Sequence, residues 1–311
     1  MNAAKSSAPR RGLRHALLQA VTWPLRGAGT VVAALFILVV FFAGGFGYAW
    51  RHWGDVVRNH PRYLLTAETL QVTPQPEWIR TDVKSEVIRD GSLDNFNLLE
   101  PQVTVKVARA FGIHTWVSNV RRVRKEYPSR IVVELEYRRP VAMVEVVTNG
   151  ERGLLPVDAK GVLLPPQDFS PEQTRDYLRI AAGNTLPTGP AGTPWGDERI
   201  AGAAQVALAL SDVWRDFQFY RITAVTATEA SRRRGANQAF ELSTRAGHRV
   251  VWGHAPGQEP ATEATAAEKI ARLKKYFEQN GDLPSDPGSI ELDLRNKAGI
   301  SVTPRTARKP S

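Results

Sequence analysis

Apolar residues follow three different rhythms along this chain, and each rhythm predicts a different kind of element. Residues 27–50 carry no charge, the only such run in the sequence. A helix rises about 1.5 Å per residue and a bilayer core is roughly 30 Å thick, so this run can cross a membrane once. Val31, Leu35, Leu38 and Phe42 are its anchoring residues, and Ala43 with Gly47 forms one small-xxx-small pair where another helix could approach. A cleaved signal peptide shares the basic start and apolar core. Its core normally spans only about 7–15 residues, which favours a retained anchor.

Beyond the run, two shorter rhythms alternate. A strand is predicted over 63–72, then, after Pro74, a helix opening at Pro76 and stopping at Asp90-Gly91. A second helix is predicted over 102–111, where Val103, Val107 and Phe111 recur at helical spacing. Strands over 117–126 and 130–147 follow. In the latter, Ile131, Val133, Leu135 and Tyr137 alternate with Val132, Glu134 and Glu136, the period of a half-buried strand. Pro128-Ser129 makes a tight connection, so the two strands should pair as a hairpin. The order strand-helix-helix-strand-strand predicts a three-stranded sheet covered by two helices.

The remainder reads as mostly strand. Residues 141–147 and 153–158 flank Asn149-Gly150, a pair suited to the positive φ angles of a tight hairpin. Residues 183–196 form a loop rich in Gly, Pro and Thr, followed by a helix over 199–217. Strands are predicted over 219–226, 238–244 and 249–253, with residues 232–236 at a loop tip. A helix over 262–279 places Ala266, Ile270, Leu273 and Phe277 on one face and stops at Asn280-Gly281. The last strand starts at Ile290. The fold class is α+β: one N-terminal transmembrane helix, a β-α-α-β-β domain, then a mixed β-rich domain with flanking helices.

Charge orients the chain. Residues 1–26 hold Lys5, Arg10, Arg11, Arg14 and Arg26 and no acid, so the positive-inside rule keeps them in the cytoplasm and exports the rest. Trp50 and Trp53 sit where interfacial aromatics are expected. The net charge of +10 is halved on the exported side once those five residues are set aside. The basic clusters 121–125 and 232–234 read first as a solvated strand face and a loop tip, and second as contacts for an anionic membrane or wall polymer; nucleic acid is excluded by location. Cysteine is absent, which rules out disulfides, thiolate nucleophiles and cysteine metal sites.

Trp116-Val117-Ser118-Asn119-Val120, Tyr127-Pro128-Ser129-Arg130-Ile131 and Arg138-Arg139-Pro140-Val141-Ala142 together resemble the FtsQ/DivIB family of bacterial cell-division proteins. Further likenesses are Val157-Asp158-Ala159-Lys160-Gly161-Val162-Leu163, the strand 247–253, and Ile290-Glu291-Leu292-Asp293-Leu294-Arg295. Two departures stand out: Tyr137 where the family usually has Glu, and one extra residue between Val120 and Val123, which a β-bulge would absorb. The resemblance implies a cytoplasmic tail (1–28), a transmembrane helix (29–50), a linker (51–61), a POTRA-like domain (62–145), a β domain (146–303) and a disordered tail (304–311).

It also implies partners. In the family the last β-domain strand and the neighbouring helix receive division proteins of the FtsB/FtsL (DivIC) type, and the POTRA domain and membrane segment contact other divisome proteins. Carried over, the binding strand is 290–302, comprising Ile290, Leu292, Asp293, Leu294, Arg295, Asn296, Lys297, Ile300 and Val302. Asn296 stands where family members often have an aromatic residue.

An enzyme is disfavoured. The six histidines are scattered, and no Gly-x-Ser-x-Gly elbow, phosphate loop or His-Glu-x-x-His is present. Glu134 and Glu136 share a strand face that reads as solvated. No cofactor, metal or small-molecule substrate is implied. The expected function is a non-enzymatic single-pass scaffold at the division septum, in the inner membrane. The alternative is a POTRA-containing export or assembly factor that binds client chains by β-augmentation.

Overall fold

In the computed structural model, helix α1 (Ala28–Arg58) carries the uncharged run. The structure describes residues 28–58, 60, 63–127, 129–225, 239–281, 283 and 290–304. They fall into two compact units, Met1–Leu64 and Leu65–Ser311. Within α1, Gly29–Gly54 contains an 18-residue window with a mean hydropathy of 2.4 and is long and apolar enough to cross a membrane. Val31, Leu35, Leu38 and Phe42 are all exposed on it. The helix runs past the expected end at residue 50, because nothing breaks it before Pro61. The expected basic tail, the loop tip at 232–236 and residues 305–311 lie outside the described residues.

The second unit begins with a three-stranded sheet in the order β1-β3-β2, formed by Leu70–Val72, Arg130–Tyr137 (β3) and Val117–Glu126 (β2). Strand β1 pairs parallel with β3, and β3 pairs antiparallel with β2. Helices α2 (Val83–Asp90) and α3 (Val103–Gly112) bury Val83, Val87, Val103, Val107 and Phe111 against Ile131, Val133 and Leu135. The register of β2 on β3 shifts between Val120 and Arg122, which is where the extra residue was expected to bulge.

Two expectations here need correction. The strand expected over 63–72 is only β1, because Thr66 and Thr69 exchange hydrogen bonds that fold the chain into a turn first: the Thr66 N–H donates to Thr69 Oγ1 at 2.8 Å. The helix expected from Pro76 starts instead after the N-cap Asp82, whose carboxylate accepts from the Ser85 N–H at 3.1 Å. Gln75 stabilises the intervening turn by donating to the Ile79 and Thr81 carbonyls and accepting from the Val83 N–H.

The strand expected over 130–147 is two strands in different sheets. It breaks at Arg138, whose N–H donates to the Trp116 carbonyl and whose side chain reaches Asp158 at 2.7 Å. Beyond it, β4 (Pro140–Thr148) enters an eight-stranded sheet of order β11-β10-β9-β8-β7-β6-β4-β5. Its hairpin to β5 (Glu151–Asp158) turns at Asn149 and Gly150, both at positive φ. Strand β6 (Leu178–Ala181) was not anticipated; at four residues it is too short to show a period.

Strands β7 (Phe219–Val225), β8 (Ala239–Thr244) and β9 (Arg249–Gly253) match expectation closely. Parallel neighbours need a crossover of a dozen residues or more. Helix α4 (Glu198–Ala209) supplies it between β6 and β7, and α5 (Ala266–Asn280) between β9 and β10. Both cover the same face, where Ile200, Ala203, Ala207 and Leu273 meet Ile180, Ile222, Leu242, Val250, Trp252 and Leu292. Gly202 lets α4 approach closely, since a Cβ there would lie 2.5 Å from the Phe240 ring.

Helix α4 ends at Ala209 rather than 217. Successive turns continue the rhythm far enough to bury Val213 and Phe217, and the chain then reverses at Gln218, at φ 55°. Helix α5 starts at Ala266 rather than 262, set by a capping box between Thr265 and Glu268.

Candidate partner-binding edge

The strand expected over 290–302 is a hairpin. Strand β10 (Ile290–Asp293) pairs parallel with β9 and antiparallel with β11 (Ser301–Pro304), so β11 is the edge of the eight-stranded sheet. Leu294 and Arg295 continue from β10, Asn296 and Lys297 lie in the connection, Ile300 precedes β11 and Val302 sits within it. The break follows from Asn296, whose side chain accepts from the Ala298 N–H at 2.9 Å and turns the chain back.

Alternation decides which groups the edge offers. The Leu294 N–H donates to the Val251 carbonyl at 3.1 Å, so Leu292 and Leu294 direct their backbone groups to β9, and Glu291 and Asp293 direct theirs to β11. Asp293 faces Ser301 and Glu291 faces Thr303. The Val302 N–H and C=O therefore point outward, while Pro304 offers a carbonyl and no donor. All four β11 residues are exposed, and Val302 is 48% exposed. On the helix-covered face, Leu292 and Leu294 are buried, and Ile290 and Ile300 pack partly against the core. Burial of each leucine is worth about 1.5–3 kcal/mol, enough to fix the register.

Polar groups clamp this hairpin to α5. Arg272 donates to the Asn296 carbonyl at 2.5 Å and the Lys297 carbonyl at 2.6 Å. The Ala264 N–H donates to the Arg295 carbonyl, and Glu263 forms a bridge with Asn296. The Glu263 carboxylate is buried. It accepts from Lys269 Nζ at 2.5 Å and the His254 N–H at 2.9 Å, and His254 Nδ1 lies at 2.7 Å. Burial would push the Glu263 carboxyl up, but its bonds to Lys269 and His254 outweigh this and hold it below the usual 4.5. Gly253, at φ 94°, leaves the space that the carboxylate occupies.

Asp293 and Arg295 meet on the opposite face. Arg295 Nε and Nη2 lie 3.0 and 2.6 Å from the two carboxylate oxygens. Burial pushes the Asp293 carboxyl up, and the Arg295 bonds bring it below the usual 3.8. The guanidinium fork is thus engaged within the chain, which leaves the backbone edge and Val302 as the groups free for a partner.

Sequence reasoning missed Glu263, Lys269, His254 and Arg272. One signal was present: Lys269 falls on the apolar stripe of α5, where a lysine needs a buried partner. The carboxylates Glu134 and Glu136 each face an arginine of β2, with Arg121 bonded to Glu136 and Arg124 3.9 Å from Glu134. No protein-family model matches the chain, and no curated protein matches it.

Proposed function

We propose that this protein is a non-enzymatic, single-pass membrane scaffold of the bacterial division site, of the FtsQ/DivIB type, which recruits and couples septal wall-synthesis proteins. The observation that carries the reading is the exposed edge β11, with Val302 within it and the hairpin clamped to α5. An open edge binds by strand addition: a partner's backbone satisfies the outward groups, and its side chains meet those alternating along the strand. The β-α-α-β-β order of the first sheet is that of a POTRA-like domain and supports the same reading, as does the order of the quoted sequence segments. In this reading α1 anchors the chain in the inner membrane, residues 1–26 stay in the cytoplasm and the second unit is extracytoplasmic.

In-cell crosslinking and pull-down should compare the full-length protein with a version truncated after Gly288. Recovery of small coiled-coil, single-pass division proteins by the full-length protein only is the expected result. Recovery of export or outer-membrane assembly components instead, or of no division protein from either sample, would overturn it in favour of client binding by β-augmentation.

A further inference from the structure

The helix-free face of the eight-stranded sheet carries a concentration of arginines that the scaffold reading does not use. A depression of about 630 Å³ is lined by Arg152 on β5, Glu145 on β4, Arg179 on β6, and Tyr220 and Arg221 on β7. Arg221 Nη2 lies 2.9 and 2.7 Å from the two Glu145 oxygens. Arg179 Nη1 lies 3.0 Å from the Tyr220 hydroxyl and 3.8 Å from Glu145. The guanidiniums of Arg179, Arg221 and Arg245 all lie against the Tyr220 ring, at 5.0, 5.5 and 5.7 Å from its centre.

Arg152, Arg179 and Arg221 line the depression with Glu145 as its one carboxylate, an excess of two positive charges, and Arg245 adds another guanidinium at the Tyr220 ring. Stacking on an aromatic ring offsets part of their repulsion but adds no full negative charge. A single carboxylate ligand would leave half of that excess, whereas a phosphate monoester or diphosphate carries about two to three negative charges and presents oxygens that match guanidinium forks. Arg179 and Arg221 are each about two-thirds buried, so their field is less screened than that of a surface cluster. The volume lies within the roughly 300–1,000 Å³ of small-ligand sites, and Val147 and Leu154 line the remainder of the depression.

We propose that this depression binds a phosphate monoester or diphosphate, with Arg152, Arg179 and Arg221 on the phosphate oxygens and Val147 and Leu154 against the uncharged remainder. The group could come from a soluble ester or from a lipid headgroup.

The test is calorimetric titration of inorganic pyrophosphate into the full-length protein in phosphatidylcholine nanodiscs, at about 0.15 M salt. Saturable binding is expected. Arg152→Ala with Arg245→Ala, both exposed, should weaken it about tenfold or more at an unchanged melting temperature. Glu145→Gln should tighten it, a gain that a purely structural ion pair would not give. Repeating the titration in discs containing phosphatidic acid separates the sources: weaker apparent binding assigns a headgroup, unchanged binding a soluble ester, and either upholds the site. No saturable heat, or equal affinity in the wild type and all variants, would overturn it. The proposal stands apart from the scaffold reading, because neither the titration nor its variants involve β11.

Discussion

The ammonium of Lys269 is fully buried, with the Glu263 carboxylate at 2.5 Å and the Trp252 ring at 5.0 Å. Breaking a buried pair by removing one partner costs far more than the pair contributes, because the other charge stays buried. Lys269→Met should therefore cost about 3 kcal/mol, read from urea unfolding of the full-length protein in detergent. The double variant Lys269→Met with Glu263→Gln should cost less than the sum of the two single changes. Acid acts on the same cluster. The Glu263 carboxyl binds its proton more weakly in the folded chain than in the unfolded one, so its contribution is complete above the usual 4.5 and is lost as the pH falls below it. Asp293 and Asp197, the latter held down first by Arg199, lose stability in the same direction. Glu263→Gln should flatten part of the fall in unfolding midpoint between about pH 7 and pH 3, and an unchanged slope would remove Glu263 from the account.

At the scale of elements, the hairpin β10–β11 separates two roles that one long strand would have merged. Strand β10 is internal, and Leu292 and Leu294, within and just after it, are buried in the core that α5 covers; β11 has one side committed to β10 and the other open. Because Ser301 and Thr303 make the inward bonds, proline at 302 removes an outward donor and no ladder bond. Val302→Pro should change unfolding stability by less than about 1 kcal/mol while abolishing recovery of the partner by crosslinking. Val302→Thr, which keeps the donor, should retain it. Equal recovery with both variants would show that strand addition at β11 is not the mode of binding.

For the whole molecule, α1 is the one helix among the described residues that is long and apolar enough to cross a membrane. Phe42 lies near the middle of Gly29–Gly54, and an arginine at a helix centre costs about 2.5–3.5 kcal/mol on insertion. Phe42→Arg should shift a measurable fraction of the protein from the membrane pellet to the alkali-extractable fraction, whereas Phe42→Leu should not.

Local rhythm carried much of this architecture. The charge-free run, the alternation of Ile131, Val133 and Leu135, the Asn149-Gly150 turn and the stripe of Ile270, Leu273 and Phe277 are all legible because helix and strand periods are imposed by the backbone itself. The helix starts were misplaced where a side chain captured the backbone, as Gln75 does before α2 and Thr265 does at α5. Strand β6 was invisible, since four residues flanked by parallel neighbours have no period to read and take their place only from the sheet. The break at Arg138 depends on Trp116 and Asp158, which lie elsewhere in the chain, and so does the burial of Lys269 against Glu263 and Trp252. The sequence by itself determined a helix long and apolar enough to span a membrane, the α+β class and most of the strands, because those depend on neighbours in the chain. Only the tertiary structure decided that β11 is the edge and that Arg179, Arg221 and Arg245 gather around Tyr220, because each depends on which strands the fold lays side by side.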